Sequence, residues 1–514
     1  MLCRQKYWIT VSFLLFALSV MQSQTSSETK QLSATQSIGD VVTSKDHIGA
    51  AQLSETIGAK AALVKSALPI HIVYIHGINQ VGAGDSSLLQ KGICKYLGEC
   101  TVTRLGRIYA DSGPFALDHD PPGLTYMQVP IWRTKDDWNA SAPFVDRYEI
   151  VGNGHAPIIL YELNWFPLAY PLKCKWLITR DARLTGPSKE QINVCAVPNG
   201  NQMDSDHPGR YLAYQWISPS EAAELSRISR HATLANRSLK NGLMDWGFGD
   251  AVMALGPMQE ILTAGIRQLL TKCLEAAGID STTEKPEEIA PEFFFVTHSL
   301  GSYLSVVALD SDWLGLQSPE LSEFAISPQQ KTAADYLSSH TAGFYFLANQ
   351  LELLEFALVS APNQASSSSA PGASSSQTLK PMSITNWVSK RQAFLKRRSS
   401  LIAVPQIIAW SDPDDLLSWD VPNIEGVNVV NLHVRNSGFK IPPFIAWPTG
   451  AHDNYAKNRR VLRVIFKPTQ ELSLIHIYQD QERLRSCSQN RSWIQTGDHP
   501  NRVRVPMQMQ SRSR

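Results

Sequence analysis

A serine at the apex of a strand–turn–helix pattern is the feature of this chain best suited to covalent chemistry. Phe293-Phe-Phe-Val296, bounded by Pro291, is a short aromatic and β-branched run, the signature of a buried strand. It leads into Thr297-His298-Ser299-Leu300-Gly301, and Ser302 to Leu309 continues as an apolar helix. A sharp turn between such elements lifts the serine hydroxyl above the sheet as a nucleophile elbow, and Gly301 suits a helix passing close to the strand it has just left. Thr297 departs from the G-x-S-x-G pattern, which has glycine there, and makes the turn tighter. The competing expectation is a serine that only caps a helix. For acyl transfer, a serine nucleophile needs an imidazole to take its proton and a carboxylate to orient that imidazole. It also needs backbone N–H donors for the oxyanion, one of which is worth roughly 3–4 kcal/mol.

A second buried-strand pattern, Pro69 to Ile75, ends in His76-Gly77-Ile78-Asn79. With it stand Tyr161-Glu-Leu-Asn-Trp165, Phe346-Leu-Ala-Asn-Gln350, Ser411-Asp-Pro-Asp-Asp-Leu-Leu-Ser418 and Ala451-His-Asp-Asn-Tyr455. Together with the serine turn, this ordered set resembles the serine-hydrolase branch of the α/β-hydrolase superfamily, the esterases and lipases. More narrowly it resembles a little-characterised group of bacterial α/β-hydrolase-like proteins, over roughly Ile70 to Lys467. The resemblance implies an α/β fold with a mostly parallel central sheet, helices on both faces, and a hydrolytic activity. It also implies that the His-Gly turn supplies one oxyanion N–H, from Ile78 or its neighbour, and Leu300 the other.

The superfamily order is serine, then acid, then histidine. Of the histidines after Ser299, His340 precedes every good acid candidate and His433 lies in a strand-like run, where a structural ring is expected. His476 and His499 fall in an atypical tail, which leaves His452, in a Gly-containing loop, as the base. The acid is expected after the strand Val404 to Trp410, where Asp412, Asp414 and Asp415 crowd one turn. Asp415 is preferred because it directly precedes the apolar pair Leu416-Leu417, with Asp412 the close rival and Asp414 third; the others would serve an Asp-Pro turn.

At 514 residues and 43% hydrophobic content the chain can bury a full core, and a net charge of +1 with no basic stripe points away from nucleic acid as a partner. Arg4 and Lys6 followed by apolar Trp8 to Val20 form a signal-peptide pattern over 1–23, which implies a periplasmic or secreted protein. Left uncleaved, the same segment is a membrane anchor. Export permits disulfides, with Cys94–Cys100 and Cys174–Cys195 as the candidate pairs and Cys273 buried and free. No Cys/His spacing suits zinc, and Gly82-Ala-Gly84 lacks the lysine of a phosphate loop, so no metal or cofactor is expected.

A polar lead-in occupies 24–68 and the hydrolase-like domain 69–467. Within the domain, Ser86 to Leu97 reads as a helix, Gly98 to about Ala156 as loops over the sheet edge, and Leu243 to Ala277 as one long helix. An aromatic insertion from Phe166 (about 166–240), with Trp176, Tyr211, Tyr214 and Trp216, suits a lid over an apolar ester substrate, or its own small core. Ala365 to Gln377 reads as a disordered loop, and Lys390 to Arg398 as a solvated basic helix face. In the tail 468–514, of non-native or disordered character, Leu472 to Ile477 resembles the translation of a sequencing-adapter end. The composite expectation is a serine hydrolase of carboxylic, including lipid, esters. The alternatives are a thioesterase or amidase with the same residues, or a non-catalytic binding protein of the cell envelope.

Overall fold

The computed structural model describes residues 69–78, 84–110, 142–152, 155–185, 195, 219–228, 240–256, 258–281, 291–312, 327–356, 383–397, 405–436, 440–441, 445–446 and 448–466. The expectations for the N-terminal segment, the 365–377 loop, the tail and Tyr211, Tyr214 and Trp216 lie outside these residues, and of Trp176 only the backbone is described.

Eight strands form one mixed sheet: β1 (Ile70–Ile75), β2 (Cys100–Tyr109), β3 (Phe144–Gly152), β4 (Ile158–Asn164), β5 (Phe293–His298), β6 (Thr341–Leu347), β7 (Gln406–Ser411) and β8 (Asn428–His433). Their order is β2-β3-β4-β1-β5-β6-β7-β8. From β4 to β8 every pairing is parallel, whereas β2 and β3 run antiparallel at one edge. The central strands are predominantly apolar and buried almost throughout because both faces are covered, as parallel sheets require. Ile72 and Tyr74 pack on one side with helices α1 (Ser87–Leu97) and, at the far end of the domain, Arg459–Phe466. Val73, Ile75 and Phe295 pack on the other with α2 (Gln259–Ala276), α3 (Leu300–Leu309), α4 (Pro328–His340) and α5 (Ser383–Arg397). The architecture is thus α/β.

Three local expectations need correction. The stretch from Gly98 to Ala156 is not all loop, since it contributes β2 and β3. Residues 101–105 of edge strand β2 are exposed, so no apolar run marks it, and Gly106 shifts the register and breaks the alternation. Inside this hairpin the buried Asp146 takes a bidentate pair from Arg107 at 2.9 and 2.8 Å and a bond from Arg104 at 2.8 Å. Leu243 to Ala277 is not one helix either: a π-helix at Lys240–Phe248 and a helix at Gly249–Leu255 end at Gly256, before α2 begins. Lastly, α5 is not simply a solvated basic face. Arg391 is fully buried, donating to Glu292 at 3.0 Å and to the Ser339 carbonyl at 2.7 Å, and Lys390 pairs with Asp335 at 2.6 Å.

The cysteine expectations match the structure. Cys94–Cys100 and Cys174–Cys195 are bonded, with Cα separations of 5.1 and 5.5 Å, and Cys273 is free and buried in α2. Among the described residues no helix is long and apolar enough to cross a membrane.

The insertion after β4 encloses charge. Lys173 and Asp250 form a fully buried pair at 2.6 Å, and Asp181, paired with Lys240, lies beside Asp245. Burial, and then the neighbouring Asp181, push the Asp245 carboxyl up to about 7. A carboxyl raised in the folded state gives stability that is lost as pH climbs from the ordinary carboxylate value through about 7. Asp245→Asn removes that loss. The Tm advantage of the variant over wild type is expected to widen by about 2–4 °C between pH 5 and 7.5. Calorimetric melts at the two pH values check it, and a gap that stays constant contradicts the assignment.

Candidate active site

The topology itself marks one place on the sheet. From β1 the chain goes to β2, β3 and β4 on one side, and from β5 to β6, β7 and β8 on the other. The helix after β1 covers one face and the helix after β5 the opposite face. The carboxyl ends of β1 and β5 therefore flank a switch point, where open α/β sheets form their binding crevice. The register pairs Ile75 with Thr297, so the next residues, His76-Gly77 beyond β1 and His298-Ser299 at the end of β5, lie side by side.

Ser299 occupies the turn between β5 and α3 at φ 53°, ψ −125°. This left-handed backbone carries a cost of order 1–3 kcal/mol for a non-glycine residue and persists only where the surroundings enforce it. Here the enforcement is visible. The Ser299 N–H donates to the Leu347 carbonyl at 2.8 Å, and the Ser299 carbonyl accepts from Ser302 N–H at 3.0 Å and Ser302 Oγ at 2.6 Å. Two glycines make the crossing possible. A Cβ on Gly301 would lie 2.5 Å from the Ile75 carbonyl oxygen and 2.6 Å from that of His76, and one on Gly77 would lie 2.6 Å from Ser299 Cβ. Thr297, the departure from the motif, is accommodated as a fully buried strand residue.

The structure brings Ser299, His452 and Asp415 into one hydrogen-bonded line. Ser299 Oγ lies 2.8 Å from His452 Nε2, and His452 Nδ1 lies 3.0 Å from both Asp415 carboxylate oxygens. A carboxylate only accepts, so neutral His452 carries its proton on Nδ1 and leaves Nε2 to accept from the serine. Burial pushes the Asp415 carboxyl up, but His452, the Leu417 N–H at 3.0 Å and the Tyr455 hydroxyl at 3.1 Å outweigh it and hold the group below the ordinary aspartate value. His452 sits not in a loop, as its glycine neighbour suggested, but in the last turn of a short helix, Pro448–Asp453. A glycine costs a helix only about 1 kcal/mol, which tertiary packing overrides.

The other candidates are placed elsewhere. Asp412 Oδ1 accepts from Asp414 N–H at 2.8 Å and its Oδ2 from Asn436 N–H, so it shapes the turn that presents Asp415. His340 bonds the Tyr336 carbonyl on α4 at 2.8 Å, and exposed His433 pairs with Asp420 at 3.1 Å. His476 and His499 lie outside the described residues.

Leu300 is the first residue of α3, and the N–H of a first helical residue has no intrahelical partner. Ile78 follows the Gly77 that presses on Ser299, and its side chain packs on the core. Glu162 on β4 holds the far end of that loop, accepting from the N–H groups of Gly84, Asp85 and Ser86 at 2.6, 3.1 and 3.2 Å and from the Ser86 hydroxyl.

Sequence reasoning missed Tyr455, Glu162 and His298 as site partners. His298, half-buried at the end of β5, donates from Nε2 to the His452 carbonyl at 2.9 Å. Burial, and then proximity to His452, lower its pKa, which keeps it neutral beside that ring. Only the adjacency of His298 to Ser299 could have drawn attention to it. Among the described residues no cluster of His, Cys, Asp and Glu could hold a metal ion. Compared with known proteins, the chain matches no family model, no curated protein and no solved structure.

Proposed function

We propose that this chain is an exported serine hydrolase of α/β-hydrolase type that cleaves carboxylic esters, lipid esters among them. The observation that carries this reading is the continuous line from Ser299 Oγ through His452 to Asp415, built on a strained serine turn. In the proposed reaction Ser299 Oγ attacks the acyl carbon while His452 Nε2 takes its proton. The Leu300 and Ile78 N–H groups hold the oxyanion. Collapse of the tetrahedral adduct expels the alcohol, which leaves with the proton from His452. Water then attacks the acyl-enzyme, giving its proton to His452, and the carboxylic acid departs as Ser299 recovers its hydrogen.

Apolar substrates are favoured by the loop that bears Asp415. It exposes Leu416 and Trp419, 75% and 48% accessible, and Trp419 is pinned to Asn349 by reciprocal bonds of 2.8 and 3.0 Å. Export is favoured by the two disulfides together with the N-terminal signal pattern. A fluorophosphonate probe is expected to form an adduct that peptide mass spectrometry maps to Ser299. Turnover of p-nitrophenyl esters is expected to exceed that of matched thioesters and amides, and the reverse ranking would assign a thioesterase or amidase. Folded protein with no adduct and no turnover would leave a binding protein in place of an enzyme.

A further inference from the structure

We propose that His76 and Trp165 are positioning residues that lock the peptide plane carrying the Ile78 N–H, and so aim one of the two oxyanion donors. The inference rests on the serine-hydrolase reading above. His76 directly follows β1, and its buried ring stacks on Trp165 with centroids 5.0 Å apart and planes 12° from parallel. Trp165, fully buried at the end of β4, also donates its indole N–H to the His76 carbonyl at 3.1 Å. One side chain thus fixes both the ring and the backbone of His76.

The ring in turn fixes the next peptide. His76 Nδ1 lies 2.9 Å from the Gly77 carbonyl oxygen. A carbonyl only accepts, so the imidazole proton is on Nδ1. Burial pushes the pKa of this ring down to about 4, so it is neutral at physiological pH and keeps that tautomer. In a trans peptide the C=O and the following N–H point in opposite directions. Holding the Gly77 carbonyl toward His76 therefore turns the Ile78 N–H away from it. Gly77 itself is pressed against Ser299, so this peptide is locked immediately beside the nucleophile. Were it flipped, a carbonyl dipole would point where negative charge develops, and the transition state would lose a donor and gain a repulsion.

The alternative role, filling the core, predicts variants with a lower melting temperature and unchanged kcat. Three substitutions separate the two. His76→Leu removes the donor to Gly77, His76→Asn keeps a side-chain N–H near the position of Nδ1, and Trp165→Phe keeps an aromatic face but loses the indole N–H. With a soluble p-nitrophenyl ester, His76→Leu and Trp165→Phe are expected to lower kcat by about tenfold to a hundredfold, with KM within about twofold. His76→Asn is expected to retain most of the wild-type kcat. Circular dichroism melts accompany each variant, and if His76→Leu does not fold, the contrast between Trp165→Phe and His76→Asn decides. Wild-type kcat in folded His76→Leu or Trp165→Phe, or a His76→Asn no faster than Trp165→Phe, overturns the inference. Failure of fluorophosphonate to label Ser299 in the wild type overturns the hydrolase reading instead, so the two failures are distinguishable.

Discussion

Asp415→Asn is expected to lower kcat on an ester substrate by about 10⁴-fold, whereas Asp412→Asn should leave it within about tenfold. The contrast follows from what each carboxylate touches. Asp415 accepts the Nδ1 proton of His452, and an asparagine there can turn its amide N–H toward the ring. That selects the tautomer with its proton on Nε2, which cannot accept from Ser299. Asp412 only receives backbone N–H groups, and asparagine keeps an oxygen for the Asp414 N–H. Steady-state kinetics on the two purified variants decide between them. Equal losses would mean that the turn, not the carboxylate, carries the effect, and a larger loss in Asp412→Asn would reassign the acid.

Gly301→Ala is expected to destabilise the fold by about 3 kcal/mol or more, since an extra methyl group in a rigid site forces backbone to move. The atoms it would meet are the carbonyl oxygens of Ile75 and His76, both main chain and neither able to swing aside. At the usual conversion for a domain of this size, Tm falls by about 6–12 °C. Because the displaced segment is the start of the turn that bears Ile78, kcat should fall with it. Thermal melts and ester turnover measured on one preparation test both halves. A variant that melts with the wild type would show that α3 does not cross β1 as closely as described.

The site was largely legible in the sequence because its parts are local signatures. Apolar strands end in short turns, and a serine, a carboxylate and a histidine follow in a fixed order. The Ser299 and Asp415 turns sit at the carboxyl ends of parallel strands β5 and β7, whereas His452 reaches them from the helix Pro448–Asp453. The choice of Asp415 over Asp412 rested on one neighbouring apolar pair, and it is Asp415 whose carboxylate lies 3.0 Å from His452 Nδ1. What escaped was of two kinds. Edge strand β2 carries polar, exposed residues and a glycine irregularity, so hydrophobic periodicity says little about it. Long-range hydrogen bonds, such as Trp165 to His76 or Tyr455 to Asp415, join residues whose local sequence has no reason to announce the partnership. Arg391 is the same lesson reversed, since a basic run looks solvated until its buried acceptors are known.

The φ of 53° at Ser299 has a practical corollary for anyone engineering heat tolerance into this scaffold. Glycine reaches that conformation without steric penalty, so position 299 is a spot where a blind stability screen would reward the loss of the hydroxyl. Thermodynamic and chemical selection pull there in opposite directions. On the proposed serine-hydrolase reading, libraries built on melting temperature alone would drift toward sturdy, inert protein, so this codon should stay fixed and turnover should be scored alongside every melt.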